Sequence, residues 1–372
     1  MIRLLIIFLI IFLGVIYSSD IIQKPYEKRR KHYIIVIVIM LILQSGLRNW
    51  YVGADTYQYY TIFEDVKSSS FNDIISRIMN NEGKDQGYYL FQKIFQIFIT
   101  DYQLYLLFVA LIFMSALGHF VYNNTIHIRH VIVAFVLYMA MFYSFFSITG
   151  IRQTLATGLL LFGFQFIKKR KLIHFSFFVI LASFMHISSL VFFSLYFIAN
   201  IKRYRTIYIS VFILFPIVFL FKNEIATFLV SSSESTQKRF ESYLEDKSTN
   251  GSIALTAAHI LIAYWGMLSI KKTVSMFPST GIMFSTFAIA FLLFPLQWVN
   301  TNAGRVAQYF DIILIVWIPF LIDTATMWKS KQREVLYLLI IGIFIFLTLF
   351  SIRKEAEYKF FWQYMEIPYN YR

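Results

Sequence analysis

The sequence predicts an all-α protein, a polytopic transmembrane bundle of about 11–12 membrane helices with amphipathic interfacial helices in an outer loop. Three observations carry that reading. Of the 372 residues, 58% are apolar and only 15% are charged, and the mean hydropathy is +0.63. The apolar residues fall in long runs, and stretches such as Tyr102 to Val121 and Met276 to Phe294 are apolar all round rather than on one stripe. Short charged segments separate the runs, and such a surface requires lipid as its solvent.

The net charge of +14 points to nucleic acid only if the cations form a stripe with interleaved stacking aromatics. They instead cluster between hydrophobic runs, which fits anionic lipid and topology and leaves no nucleic-acid partner. Cysteine is absent, which excludes disulfides, thiolate catalysis and Cys-ligated metals.

Hydrophobic runs lie at 2–19, 32–47, 102–122, 131–149, 154–167, 172–185, 187–200, 206–222, 253–270, 276–299, 306–327 and 334–352. The first, Leu4 to Tyr17 and then two serines, has the look of a signal peptide. Lys24, Lys28, Arg29, Arg30 and Lys31 outweigh Arg3, so the N-terminus is expected outside with this helix retained. Residues 172 to 200 are long for one span and short for two. Basic clusters at 168–171 and 202–205 flank them, so two short helices turning back near His186 are expected. On that parity the loops at 24–32, 123–130, 168–171, 201–205, 271–272 and 329–333 face the cytoplasm and hold 18 of the 34 basic residues.

Two longer segments then lie outside, within what reads as a single transmembrane domain over 1–372. In 46–101, Phe71, Ile74, Ile75, Ile78 and Met79, and then Phe91, Ile94, Phe95 and Phe98, recur at helical spacing, as in helices lying among lipid headgroups. The second outer loop, 222–252, contains serines 231 to 233 and a charged run from Lys238 to Lys247, the pattern of a mobile flap or short helix. The tail after Arg353 mixes Lys with Phe360, Phe361, Trp362 and Tyr364, an interfacial anchor composition. No internal repeat is present.

The polar residues expected at the outer rim are Arg48, Asp55, Asp85, Arg152 with Gln153, His186 and Arg305. Each alone reads equally as a snorkelling anchor or a functional group. Histidines 127 and 130 flank one arginine on the cytoplasmic side, and His174 and His259 stand alone, so no metal signature is read.

The stretch Gly46, Leu47, Arg48, Asn49, Trp50, Tyr51, Val52, Gly53, Ala54, Asp55 and Thr56, followed by Tyr59 and Phe63, resembles the opening signature of the EpsG-like family of bacterial polysaccharide polymerases, grouped with the Wzy-type O-antigen and capsule polymerases. The resemblance continues through Asp85, Gly87 and Tyr88; Ile151, Arg152, Gln153 and Ala156; Phe184, His186, Ser188 and Leu190; and Arg305, Tyr309 and Phe310, so it spans 46 to 310. Ala54 stands where the family usually has Thr, and Asp85 where Glu is expected.

What the resemblance implies is glycosyl transfer at the outer face of the bacterial cytoplasmic membrane. There a growing glycan on undecaprenyl pyrophosphate moves onto the next lipid-linked repeat unit, without metal or cofactor. The partners are the undecaprenyl-pyrophosphate-linked oligosaccharide, membrane lipids and a chain-length regulator. A departing lipid pyrophosphate calls for guanidinium groups, with Arg152 and Arg305 leading and Arg48 third. The acceptor hydroxyl benefits from a positioned base, either His186 or Asp55; Asp55 is equally suited to orient an arginine or a sugar. Gln153, Tyr59, Asp85 and Tyr309 are expected to bind sugar. The rival classes are a lipid-linked oligosaccharide flippase, which favours internal symmetry and midplane polar residues, and a glycan acyltransferase, which needs an early outer histidine.

Overall fold

The computed structural model describes residues 2–19, 21–53, 55–80, 85–230, 252–299, 301–325, 330–352 and 357–365. Ala54, the charged run of the second outer loop and most of the tail lie outside the described residues. Every regular element among those described is helical, and the chain divides into two compact units, 1–190 with 334–372, and 191–333.

The first unit opens with α1 (Ile2–Ser18), α2 (Tyr26–Gly46) and three helices of the outer loop, α3 (Thr56–Ser68), α4 (Phe71–Met79) and α5 (Gln86–Gln96). It continues with α6 (Tyr102–Asn124), α7 (Ile128–Leu137), α8 (Ile151–Lys168) and α9 (Leu172–Met185). The expected amphipathic helices are present: α4 buries Ile74 and exposes Phe71, Ile75 and Met79, while α5 is followed by exposed Ile97 and Phe98. A capping box between Ser70 and Asp73 starts α4. Helix α3 was not read from the sequence, because its alternating aromatic and polar residues give little periodic signal.

The second unit holds α10 (Ser194–Ile198), α11 (Tyr204–Leu220), α12 (Lys222–Val230), α13 (Ile253–Met276), α14 (Gly281–Leu293), α15 (Thr301–Asp311) and α16 (Leu314–Thr324). The chain then returns to the first unit through α17 (Ser330–Ile352). Four stretches are long and apolar enough to cross a bilayer unaided: α6, α13, 278–298 and α17. Two bent pairs, α11 with α12 at 85° and α15 with α16 at 50°, raise this to six. Shorter apolar helices, including α1, α7 and α9, add to them. The chain is thus an all-α, multi-pass membrane protein. Its exposed Leu338, Ile343, Phe346 and Phe350 on α17 need lipid around them.

The hydrophobic run at 131–149 is not one regular helix. After α7 the backbone winds as π-helix over Tyr138–Phe142 and Ser144–Thr149, and Gly150 N–H donates to the Phe145 carbonyl at 2.9 Å. A π turn displaces carbonyls from their usual partners, and the side chain that meets two of them is Arg3. Its Nε donates to the Met139 carbonyl at 2.6 Å and Nη2 to that of Ala140 at 2.7 Å. Nη1 reaches Ser351 Oγ at 2.9 Å and Ser144 Oγ at 3.3 Å, and Tyr143 lies beneath the guanidinium at 5.4 Å. Arg3 is 3% exposed. It is therefore an interior clamp tying α1, the π segment and α17 together, a role wider than the topological charge read from the sequence.

Replacing Arg3 by Met should leave the Met139 and Ala140 carbonyls without their donors and lower the thermal unfolding midpoint of the purified protein by several degrees. Arg3→Lys should recover little of it, since one ammonium lacks the planar fork that spans both carbonyls. A midpoint unchanged in both variants would remove Arg3 from this role.

Candidate functional site

The break expected near His186 is where the backbone leaves the helix. Met185 ends α9, His186 is extended at φ −159° and ψ 112°, and a 3-10 turn begins at Ile187. A break there frees an imidazole and a backbone N–H at one helix end, and both turn to the same carboxylate. Asp85 Oδ2 lies 2.8 Å from His186 Nδ1, and Asp85 Oδ1 accepts from the Ile187 N–H at 3.1 Å. Arg152 Nη1, from the first turn of α8, donates to the same Oδ2 at 3.2 Å. The Asp85 side chain is 3% exposed, against 18% for Arg152 and 29% for His186. The acid is interior, and the base and the guanidinium face outward.

Local backbone choices make this possible. Asp85 sits in the left-handed region, φ 54° and ψ 54°, as the residue that starts α5; aspartate tolerates that conformation better than most residues. Two residues on, Gly87 packs directly on the end of α9, where a Cβ would lie 2.5 Å from the Phe184 carbonyl oxygen and 2.6 Å from its Cβ. Only glycine lets α5 approach so closely, and that approach delivers the carboxylate to His186. Gly163 of α8 meets Phe178 of α9 at a similarly short range, so α9 is held from both sides.

Burial raises the Asp85 pKa, but the hydrogen bond and charge of His186, joined by Arg152 and the Ile187 N–H, outweigh it and hold the carboxyl below the ordinary carboxylate range. An ionised carboxylate accepts only. The Nδ1 of His186 therefore carries its proton toward Asp85, and in the neutral imidazole the lone pair then falls on Nε2, which is bonded to no described residue. Arg152 lies over two tyrosine rings, Tyr59 at 5.5 Å and Tyr88 at 5.7 Å. Tyr88 is buried and its hydroxyl accepts from Gln92 Nε2 at 3.0 Å. Half-exposed Trp50, Tyr51, Tyr57 and Tyr60 form a run of touching rings on the other side of α3, with Trp50 and Tyr60 centroids 4.4 Å apart.

The other sequence-picked residues are placed differently. Asp55 is the residue before α3 and makes no side-chain cap hydrogen bond to that helix. Arg48 is 3% exposed, donates to the Ser45 carbonyl at 2.6 Å, and borders a cavity of about 10 Å³ shared with Gly150, Ile151 and Thr154, room for a single water. The tail pairs with it: Asn49 N–H donates to Lys359 and Phe361 N–H to Leu47. Arg48 therefore supports the base of the outer loop from inside, contrary to its expected exposure to substrate. Gln153 is likewise buried. Arg305 and Tyr309 lie on α15 of the second unit; Arg305 is half-buried, while Tyr309 is 1% exposed and belongs to that unit's core, so its hydroxyl is not offered to a sugar. Asp85, expected to bind sugar, has both oxygens occupied by protein donors and positions other groups instead. Sequence reasoning placed Tyr88 in a signature beside Gly87 without giving it a role, and missed the Ile187 N–H.

A family model described as the EpsG family matches residues 31–369. The chain belongs to the EpsG family. Comparison with curated proteins and with solved structures gave no match. The match covers every segment that carries the motif residues, including both the Asp85 and the His186 ends of this EpsG-family site.

Gly87→Ala should separate α5 from α9 and cost function as severely as Asp85→Asn, whereas Gly163→Ala, remote from the carboxylate, should cost less; similar losses in all three would detach the site from the α5 contact. The depressed Asp85 pKa fixes the sign of a pH effect. Its stabilisation is complete above the unfolded carboxyl pKa of about 4 and is lost as pH falls through the lower folded value. The gap in melting midpoint between wild type and Asp85→Asn should therefore close as the pH is taken below about 4. A gap that keeps widening below that pH would reverse the assignment.

Proposed function

We propose that this EpsG-family protein is a polysaccharide polymerase of Wzy type. It transfers a growing glycan from undecaprenyl pyrophosphate to the next lipid-linked repeat unit at the outer face of the cytoplasmic membrane. Family membership supports the polymerase role. The reaction is supported above all by one observation, the Asp85 carboxylate that holds an imidazole and a guanidinium side by side at a partly open surface.

In this reading His186 is the general base. Its Nε2 takes the proton of the acceptor hydroxyl as that oxygen bonds to the donor's anomeric carbon. The anomeric C–O bond breaks and its electron pair leaves with the lipid pyrophosphate, so atoms and charge balance. Arg152 faces the growing negative charge on the leaving oxygen. Asp85 keeps the imidazole in the tautomer that accepts at Nε2 and stabilises the imidazolium formed. Trp50, Tyr51, Tyr57 and Tyr60 offer rings of the width and amphipathic character that pack on sugar faces. Asp55, at the turn before that ladder, serves as a sugar or arginine partner.

The test is purified protein incubated with a lipid-linked repeat unit, with products resolved by size. Wild type should give a ladder. His186→Gln should slow elongation by about 10²- to 10⁴-fold, the usual worth of a general base. Arg152→Ala should cost about 10²- to 10³-fold. Full-length ladders from both variants at the wild-type rate would reject the reading. A wild-type protein that moves the lipid-linked unit across vesicles without joining units would favour a flippase.

A further inference from the structure

In the second unit the start of α11 and the end of α13 enclose a groove of about 1110 Å³. Four cations line it, Lys202, Arg203 and Arg205 from the α11 side and Lys271 from α13, and no carboxylate does. Among the described residues none of the four side chains makes a hydrogen bond or an ion pair. Elsewhere the chain pairs such groups, as in Arg30 with Glu27, Arg77 with Asp65 and Arg129 with Glu334. Gathering four like charges at one opening without an acid is unfavourable unless an anion is present. The first turn of α11, a helix of 17 residues, also turns its positive end there.

The groove changes character along its helices. About a turn from the cations its lining is Ile209, Leu268 and Val274, with Leu268 63% and Ile209 46% exposed. Both helices belong to apolar, membrane-length elements, α13 on its own and α11 as part of a bent pair. A polar collar opening onto an apolar crevice fits a molecule with an anionic head and hydrocarbon chains. The volume exceeds that of most small-ligand pockets, which admits a headgroup with the upper part of its chains. A zwitterionic head would set its own ammonium against the cations.

We propose that this groove is a binding site for one anionic glycerophospholipid, its phosphate held by Lys202, Arg203, Arg205 and Lys271 and its chains laid along α11 and α13. The site is independent of the glycosyl-transfer reading. The basic flanks of both helices suit the cytoplasmic leaflet, and lipid retained there braces α11 against α13.

The test uses full-length protein in nanodiscs of equal phosphatidylglycerol and phosphatidylcholine, followed by detergent extraction and mass-spectrometric counting of retained lipid. Wild type should retain phosphatidylglycerol over phosphatidylcholine. Lys202→Gln, Arg203→Gln, Arg205→Gln and Lys271→Gln combined should abolish that preference, a loss of at least about tenfold, since each basic residue near an anionic lipid counts for roughly fivefold. A control that neutralises exposed Lys28, Lys31, Lys169 and Lys171 should retain it. If the combined variant does not fold, Arg205→Gln and Lys271→Gln singly should each give a partial loss. Equal retention by groove variant and wild type, or equal loss in variant and control, overturns the site. Displacement of the lipid by millimolar inorganic phosphate overturns the phospholipid assignment in favour of a soluble phosphate.

Discussion

One buried carboxylate organises the outer site. Asp85 gathers a helix-end N–H, an imidazole and a guanidinium that come from two parts of the chain about a hundred and about seventy positions away. Without it, Arg152 and His186 would bring two like-directed donors together with nothing to accept from them, at a cost that grows as water is excluded. With it, each is fixed in rotamer and the imidazole is fixed in tautomer. The same pairing explains why the acid, and neither base, is the buried member of the three.

The rest of the first unit can be understood as support for that contact. Gly87 sets the distance between α5 and α9. The π-helical stretch ends at Gly150, directly before the first turn of α8 that carries Arg152. Arg3 satisfies carbonyls that the π winding frees, linking the first helix and α17 to the same element. π turns recur near functional sites. Here two carbonyls of the winding are met from within by Arg3.

Much of this was legible beforehand. Composition and run length are enough for an all-α membrane protein, because long runs that are apolar all round satisfy their backbone in lipid as helices, whereas barrel strands alternate. Charge balance on either side of 172–200 located the turn at His186, and helical spacing located α4 and α5. Arg152 and His186 could be singled out because they fall in short signatures. Their convergence on Asp85 was not, since it depends on a left-handed residue, a glycine contact and a helix end that no periodicity records. Burial was the other blind spot. Arg48, Gln153 and Tyr309 looked like rim residues from their positions near helix ends, yet their side chains turn inward, and a sequence gives position along a helix more readily than direction around it.

The central claim is that Asp85 and His186 act as one unit, so the decisive measurement is a double-mutant cycle on polymer formation with Asp85→Asn and His186→Gln. If the carboxylate works through the imidazole, the double variant should elongate no more slowly than the His186→Gln single, because the second change removes a group already without purpose. Losses that multiply would contradict the account and make the two residues independent.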